Sequence, residues 1–366
     1  LRLLFLRLSR PQIHSPEYHS LQTKISFEGV NMNVIISDTP HVRKRRTTKN
    51  IMLDVIIALI PAIIAGIVFF GYKAAVVLLI SVASSVATEF VYSLCLKKKP
   101  ADIFRNFDFT SVITGLLLGL SLSSTVPWYV PLLSAVFAVA VVKMLFGGTG
   151  KNIVNPAVCG RVFAFIAFQA VMISGWADAA FGPVEGSIKA GATVLTSVLS
   201  EGVSAMGLTN LDLFLGTGLQ GCIGETCKLA LLIGWIYLGI RKVIRWEYPL
   251  IILLCTAFTT VFLNKADFAY FLPSILSGGI FLGAVFMATD YVTSPSSRVA
   301  KYVYYACLGI LVAVLRHATK IEVVSFVILL MNLTVPIFNR IFRPVIFGAP
   351  SIKEKLKARA AKKEAK

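Results

Sequence analysis

The stretch Lys49–Lys99, KNIMLDVIIALIPAIIAGIVFFGYKAAVVLLISVASSVATEFVYSLCLKKK, decides the fold. It holds two apolar runs, residues 52–70 and 73–95, separated only by a short turn. At about 1.5 Å of rise per residue, each run is long enough as a helix to cross about 30 Å of hydrocarbon. Arg43, Lys44, Arg45, Arg46 and Lys49 precede the first run, and Lys97, Lys98 and Lys99 follow the second. Basic loops are retained in the cytoplasm, so the pair reads as a helical hairpin with both ends on that side of a membrane.

The pattern continues outward from this hairpin. Further apolar runs occupy 109–124, 128–146, 155–175, 224–240, 247–264, 269–289, 301–316 and 322–341, which makes ten. Lys151, Arg241, Lys242, Arg245, Arg298, Lys301 and the tail KEKLKARAAKKEAK fall on the side of the first basic cluster. The opposite side holds fewer cations, among them Lys73, Lys189, Lys265, Arg316 and Lys320. Both termini are therefore expected in the cytoplasm, and the long loop 176–212, with Asp178, Glu185, Glu201 and Asp212, outside it. The 366-residue chain is 56% hydrophobic, has a mean hydropathy of +0.78 and is only 15% charged, which leaves no room for a separate soluble core. Its net charge of +18 lies in loops and tail, with no basic domain interleaved with aromatics, so membrane topology explains it and nucleic acid is not an expected partner.

The expected fold class is thus an all-α polytopic membrane protein of about ten transmembrane helices. Five runs lie on each side of the 176–212 loop, and an odd number gives two five-helix halves inverted orientations if they are related. A faint internal echo supports this: Gly115 and Gly119 in TGLLLGLSLSS are spaced like Gly279 and Gly283 in SGGIFLGAVFMATD. Small residues at that spacing let helices approach closely. The chain divides into residues 1–31, read as an extension upstream of a start at Met32 or as unstructured, and a basic cytoplasmic segment 32–51. The first half is 52–175, the outer loop 176–212, the second half 213–341 and the basic tail 342–366.

Three motifs invite chemistry. FGGTGKN, Phe146–Asn152, resembles a phosphate loop only superficially, because Leu145 stands where its first glycine belongs and Asn152 replaces the metal-binding hydroxyl. What remains is a Gly-rich cytoplasmic turn leading into NIVNPAVCGR, with Asn152, Asn155 and Pro156 at a span entrance and Arg161 inside it. Polar groups at membrane depth are tolerated where they line a cavity or are buried in protein. GTGLQGCIGETCK, Gly216–Lys228, suits a re-entrant turn into a helix N-terminus, an end that favours anionic groups. Ionisable residues inside spans are costly and mark candidate sites: Glu89, Arg161, Glu225 and Lys228. For Glu89 a buried hydrogen bond is the expected arrangement. Glu225 and Lys228, three apart, are expected to pair along one helix face. The six cysteines contain no CxxC pair, and no metal site is expected.

Several of these segments together carry a resemblance. VITGLLLGLSLSSTVPWYV, KMLFGGTGKNIVNPAVCGRVFAFIAF, GCIGETCKLALLIGWIYLGIRK and FMATDYVTSP occur in one colinear order and resemble the D subunit of the Rnf complex, an ion-translocating ferredoxin:NAD oxidoreductase. The B subunit of the sodium-translocating NADH:quinone reductase belongs to the same family and is the alternative reading within it. The resemblance implies an electron-transport subunit of the bacterial inner membrane, with ten helices in two inverted halves. It also implies FMN carried on a threonine through a phosphoester bond, in a motif of the S/T-G-A-T type placed in the outer loop. Here AGAT, Ala190–Thr193, occupies that place, so Thr193 is the attachment candidate and Gly191 and Ala192 its motif. The acid and hydroxyl that often precede the motif are replaced by Ser187 and Ala190.

Expected partners are the other membrane and peripheral subunits, a flavin transferase for maturation, membrane lipids, and Na⁺ or H⁺ as the transported ion. Asn155, Arg161, Glu225 and Asp290 are further candidates for cofactor binding, including a second, non-covalent flavin such as riboflavin. Outside the family, a flavin-free solute channel or transporter of inverted-repeat type fits the glycine-broken spans but needs no AGAT loop.

Overall fold

A computed structural model describes residues 22–27, 30–35, 47–97, 99–105, 107–174, 209–217 and 219–342. Thr193, Gly191 and Ala192, the rest of the outer loop before Thr209, and the tail after Phe342 lie outside them. The chain falls into two compact units, divided between Thr47 and Thr48. In the first, β1 (Gln22–Phe27) pairs antiparallel with β2 (Val30–Ile35), Ile25 opposite Met32. Regular structure therefore occurs within a segment expected to be an extension or unstructured, and it continues across Met32.

The second unit is helical. Its elements are α1 (Thr48–Phe70), α2 (Tyr72–Cys95), α3 (Pro100–Arg105), α4 (Thr110–Leu120) and α5 (Tyr129–Val136), which runs on as a π-helix over Phe137–Met144. Then follow α6 (Pro156–Ala167), α7 (Gln169–Ser174), α8 (Asn210–Leu215), α9 (Lys228–Ile240) and α10 (Glu247–Leu263). The last are α11 (Phe271–Leu276), α12 (Ile280–Leu282) with a π-helix over Gly283–Met287, α13 (Arg298–Thr319) and α14 (Val324–Ile341). Every expected span contains one of these helices or a helix pair. Four of them, α1, α2, α13 and α14, are apolar and 18 residues or longer, and the stretch 268–287 is a pair bent by 67° at a break.

Within the first set of five spans α2 packs on α4 and α5, and within the second α10 packs on α13 and α11. Between the sets, α1 packs on α9 and α6 on α14, so the first span meets the sixth and the fifth the tenth. Gly234 permits the first of these contacts, since a Cβ there would strike the Ala58 carbonyl. Gly115 does the same against α2, where a Cβ would fall 2.7 Å from Val82 Cα. Long apolar side chains on the outside, such as Ile64 at 57% and Phe262 at 80% exposure, are what a lipid-facing surface requires.

Several helices are too short to cross a bilayer alone. At 11 residues α4 is about 16 Å long. It ends at Leu120, inside the protein, and is met by the irregular segment before α9. Ile223 N donates to Leu122 O at 3.0 Å and Gly224 N to Leu120 O at 2.7 Å. Non-helical backbone at this depth must be satisfied within the protein, and these bonds satisfy it. Gly224 is required here: a Cβ would lie 2.7 Å from that of Leu120. A second junction lies where the π-helix at Met287 ends against the entrance of α6.

Candidate functional site

The second junction holds a cleft. Pro156 opens α6 and Asn155 caps it, its Oδ1 accepting from Ala157 N at 3.0 Å. An asparagine cap followed by proline is what fixes a helix start at this residue. The same side chain donates through Nδ2 to Met287 O at 3.1 Å, tying the two sets of spans together. Asn152, also buried, donates to Val154 O at 2.9 Å. The turn before it needs its glycines, since Gly147, Gly148 and Gly150 have φ of 106°, 89° and 84°. Thr149 in that turn donates to Asp108 Oδ2 at 2.6 Å, and Thr110 Oγ1 to Asp108 Oδ1 at 2.6 Å.

Together these residues enclose about 870 Å³ of space free of protein atoms, mouth included. The polar lining includes Asn152, Asn155, Thr110, Thr149, Lys143 and Asp290, and the apolar walls include Val55, Leu117, Leu238 and Phe286. Such a mix, mostly apolar with a few fixed polar groups, is that of a small-molecule site. Burial works to raise the Asp108 carboxyl, but the Thr110 and Thr149 hydroxyls and the Lys143 charge outweigh it and hold the group below the usual carboxylate range. Half-buried Asp290 goes the other way: burial pushes it up, only partly offset by Val292 N–H and the Thr293 hydroxyl.

Sequence patterning did not single out Lys143. Its Nζ donates to Glu89 Oε1 at 2.9 Å, Thr110 Oγ1 at 2.5 Å and Ser111 Oγ at 3.0 Å. Ser111 in turn donates to Glu89 Oε2. Glu89 is hydrogen-bonded as expected, within an ion pair the expectation lacked. The signal was a lysine near the end of an apolar run, where snorkelling to the surface is the ordinary outcome. The π-helix keeps it inside instead.

Arg161 and Glu225 are placed elsewhere, at the first junction. Arg161 Nη1 donates to Ser121 O beyond the end of α4, and its charge lies within reach of Cys222, Glu225 and Glu322. Glu225 and Lys228 do not pair along a helix face. The helix begins only at Lys228, so Glu225 precedes it, and the ammonium donates to the Glu225 main-chain carbonyl. The carboxylate instead lies against the break between α11 and α12, where a Cβ on Gly279 would come 2.6 Å from its Oε1. Glu322 approaches the same break, accepting from Gly279 N at 2.9 Å and from Arg316 Nη2 at 2.7 Å. Arg316, expected among loop charges, is buried, and its Nη1 also donates to Ser274 O at 3.1 Å. Asn155 with Asp290, and Arg161 with Glu225, are therefore two separate groups, one at each junction.

A multi-pass helical protein with discontinuous helices meeting at two interior junctions, one of them carrying a mixed polar and apolar cleft, is the class the fold and site define. Residues 35–348 match the model of the NQR2, RnfD, RnfE family, and the chain belongs to that family. It is 38% identical over 330 residues to the D subunit of the Na⁺-translocating ferredoxin:NAD⁺ oxidoreductase complex of Acetobacterium woodii, covering 89% of this chain and 99% of the relative. To the D subunit of the ion-translocating oxidoreductase complex of Stutzerimonas stutzeri it is 34% identical, over 83% of this chain and 93% of that one. The D subunit of the proton-translocating ferredoxin:NAD⁺ oxidoreductase complex of Clostridium ljungdahlii is 32% identical, with 86% and 96% covered.

Proposed function

We propose that the chain is the D-type membrane subunit of an ion-translocating ferredoxin:NAD oxidoreductase, a translocase in which it carries electrons on flavin and acts only within its complex. The observation that carries this reading is the near end-to-end similarity to relatives named as that subunit, covering 99% of the Acetobacterium protein. Both termini and the basic loops are cytoplasmic, and the 176–212 loop faces outside the bacterial inner membrane. The transported ion is Na⁺ or H⁺, a reading supported by relatives named for each that are similar to this chain.

Two flavins fit this reading. FMN is esterified to Thr193 by a flavin transferase that recognises AGAT. A small, unbranched neighbourhood lets that hydroxyl enter another enzyme's active site, and a covalent bond keeps the cofactor from being lost outside the cell. A second, non-covalent flavin such as riboflavin suits the cleft at Asn155. The isoalloxazine has an apolar benzenoid edge, matching Leu117, Leu238 and Phe286, and a polar edge of donors and acceptors, matching the amides of Asn152 and Asn155. Flavin exchanges one or two electrons between one-electron centres and other carriers. The chain's own contribution is to hold the ring: Asn155 links the cleft to Met287, and the apolar walls keep water from it.

Intact mass spectrometry of the native subunit tests both. The expected result is an FMN-sized adduct on Thr193 that Thr193→Ala removes, and a further flavin released on denaturation that Asn155→Ala removes while the adduct stays. An unmodified mass from cells with a competent flavin transferase would refute the first, and equal released flavin in Asn155→Ala the second.

A further inference from the structure

A second cavity adjoins the cleft, sharing Val243, Ile244, Thr289 and Tyr291 with it. It opens at the turn between α9 and α10, and encloses about 1060 Å³ including its mouth. Three cations line it, Lys242, Arg245 and Lys301, against a single carboxylate, Glu247. That carboxylate is already engaged, 3.9 Å from Arg245 Nη1 and accepting from the Tyr302 hydroxyl. Lys301 Nζ stands 5.7 Å from the centroid of the Tyr248 ring. Among the described residues neither Lys242 nor Lys301 pairs with a carboxylate. Among the described residues, then, Glu247 is the one carboxylate lining a cavity that three cations line.

Its surroundings fit a membrane interface. Trp246 and Tyr291 line it and are 60% and 51% exposed, the residue types that collect at membrane interfaces. The helices that bound it carry exposed apolar side chains next to the basic ones, Ile240 on α9 at 74% and Val299 on α13 at 60%. Charge meets an apolar belt here, the pairing that an anionic headgroup with its acyl chains requires. Basic pockets between membrane helices on the cytoplasmic side take anionic headgroups.

We propose that this cavity binds the phosphate of an anionic phospholipid, with Lys242, Arg245 and Lys301 around the headgroup and the acyl chains along the apolar faces of α9 and α13. The same phosphate chemistry would be offered by a flavin mononucleotide whose ring lay in the adjoining cleft, and the test separates the two sources.

The detergent-extracted full chain is titrated with dioleoylphosphatidylglycerol, dioleoylphosphatidylcholine or FMN and read by native mass spectrometry. One phosphatidylglycerol per chain is expected to bind in preference to phosphatidylcholine. The triple variant Lys242→Gln/Arg245→Gln/Lys301→Gln is expected to bind it more than about tenfold more weakly, and Lys97→Gln/Lys99→Gln, which removes charge from another turn, as the parent does. Each of Lys242→Gln and Lys301→Gln alone should weaken it about fivefold, which decides the question if the triple variant aggregates. Equal binding of the two lipids overturns the proposal. So does an unchanged affinity in the variants, or loss of FMN binding with phosphatidylglycerol binding intact.

Discussion

Replacing Lys143 by methionine tests the interior polar network most directly. The Lys143 side chain is 3% exposed and that of Glu89 16%, with 2.9 Å between Nζ and Oε1. Removing the ammonium leaves a carboxylate in a largely apolar bundle with Ser111 as its remaining donor in this network. Breaking a buried pair from one side costs about 3–5 kcal/mol. Glu89→Gln likewise takes the paired carboxylate from the ammonium, leaving Asp108 to act on it only through Thr110, and should cost about as much. Glu89→Gln/Lys143→Met removes both members of the buried pair, and its cost falls to about 1–2 kcal/mol, because replacing a buried pair by neutral groups is often close to neutral. The coupling energy is therefore about 4 kcal/mol or more in favour of the double variant. Thermal unfolding in one detergent, followed by tryptophan fluorescence and by the fraction remaining monodisperse, should place the double variant's Tm above both singles. If it melts at or below the lower single, the two residues do not act as a pair and the network is misread.

Three further outcomes follow from the geometry. Gly278→Ala should cost more than Gly71→Ala, since both have φ near +65 to +69° but a Cβ at Gly278 would also displace the Glu322 carboxylate that holds Arg316, whereas Gly71→Ala meets open space and should cost only about 1–2 kcal/mol; yield of monodisperse protein separates them. Asp108, held below its unfolded pKa, contributes stability that is complete above the ordinary carboxylate pKa of about 3.9 and is lost as pH falls through its lower folded value. Asp108→Asn should accordingly flatten the acid limb of Tm against pH, and an unchanged limb would exclude the residue. Leu117→Trp, which fills the cleft wall, should lower released flavin severalfold and leave a Thr193 adduct untouched, as measured by fluorescence of the acid-soluble and protein-bound fractions.

The spans were legible because hydropathy and loop charge report the solvent of each segment, and lipid tolerates few alternatives. The breaks within them were less so. Gly279 and Gly283 share the spacing of Gly115 and Gly119, yet only three of the four serve helix packing. Gly115 and Gly119 face α2, and Gly283 faces Val324 on α14, while Gly279 faces the Glu225 carboxylate. Spacing alone does not tell a glycine that admits a helix from one that admits a charge. The start of α6 was legible at Asn155 because an asparagine before proline at a span entrance is a helix cap, which is what the structure shows. Lys143 and Asp54 were missed because each lies near a span end, where the default is to reach for water. Asp54 instead pairs with Arg241 Nη2 at 3.0 Å and accepts from the Tyr237 hydroxyl at 3.1 Å, joining the first span to the sixth.

Arg316 shows what a misplaced charge does to topology. Counted as a loop residue, it weakens the charge asymmetry on which the orientation rests. The structure puts it in the last turn of α13, 3% exposed, bonded to Glu322 and to two main-chain carbonyls at the helix break. A cation neutralised inside the bundle makes no demand on which side of the membrane its loop stays, so it does not belong in the count. Removing it leaves Lys73, Lys189, Lys265 and Lys320 against the clusters at 43–49, 97–99, 241–245 and the tail. The charge asymmetry between the two sides is larger once this residue is set aside. Pairing also explains why so many ionisable groups are tolerated here: Glu89 with Lys143, Asp54 with Arg241 and Glu322 with Arg316 each join separate segments, so the cost of burying charge is offset by fixing how the spans meet.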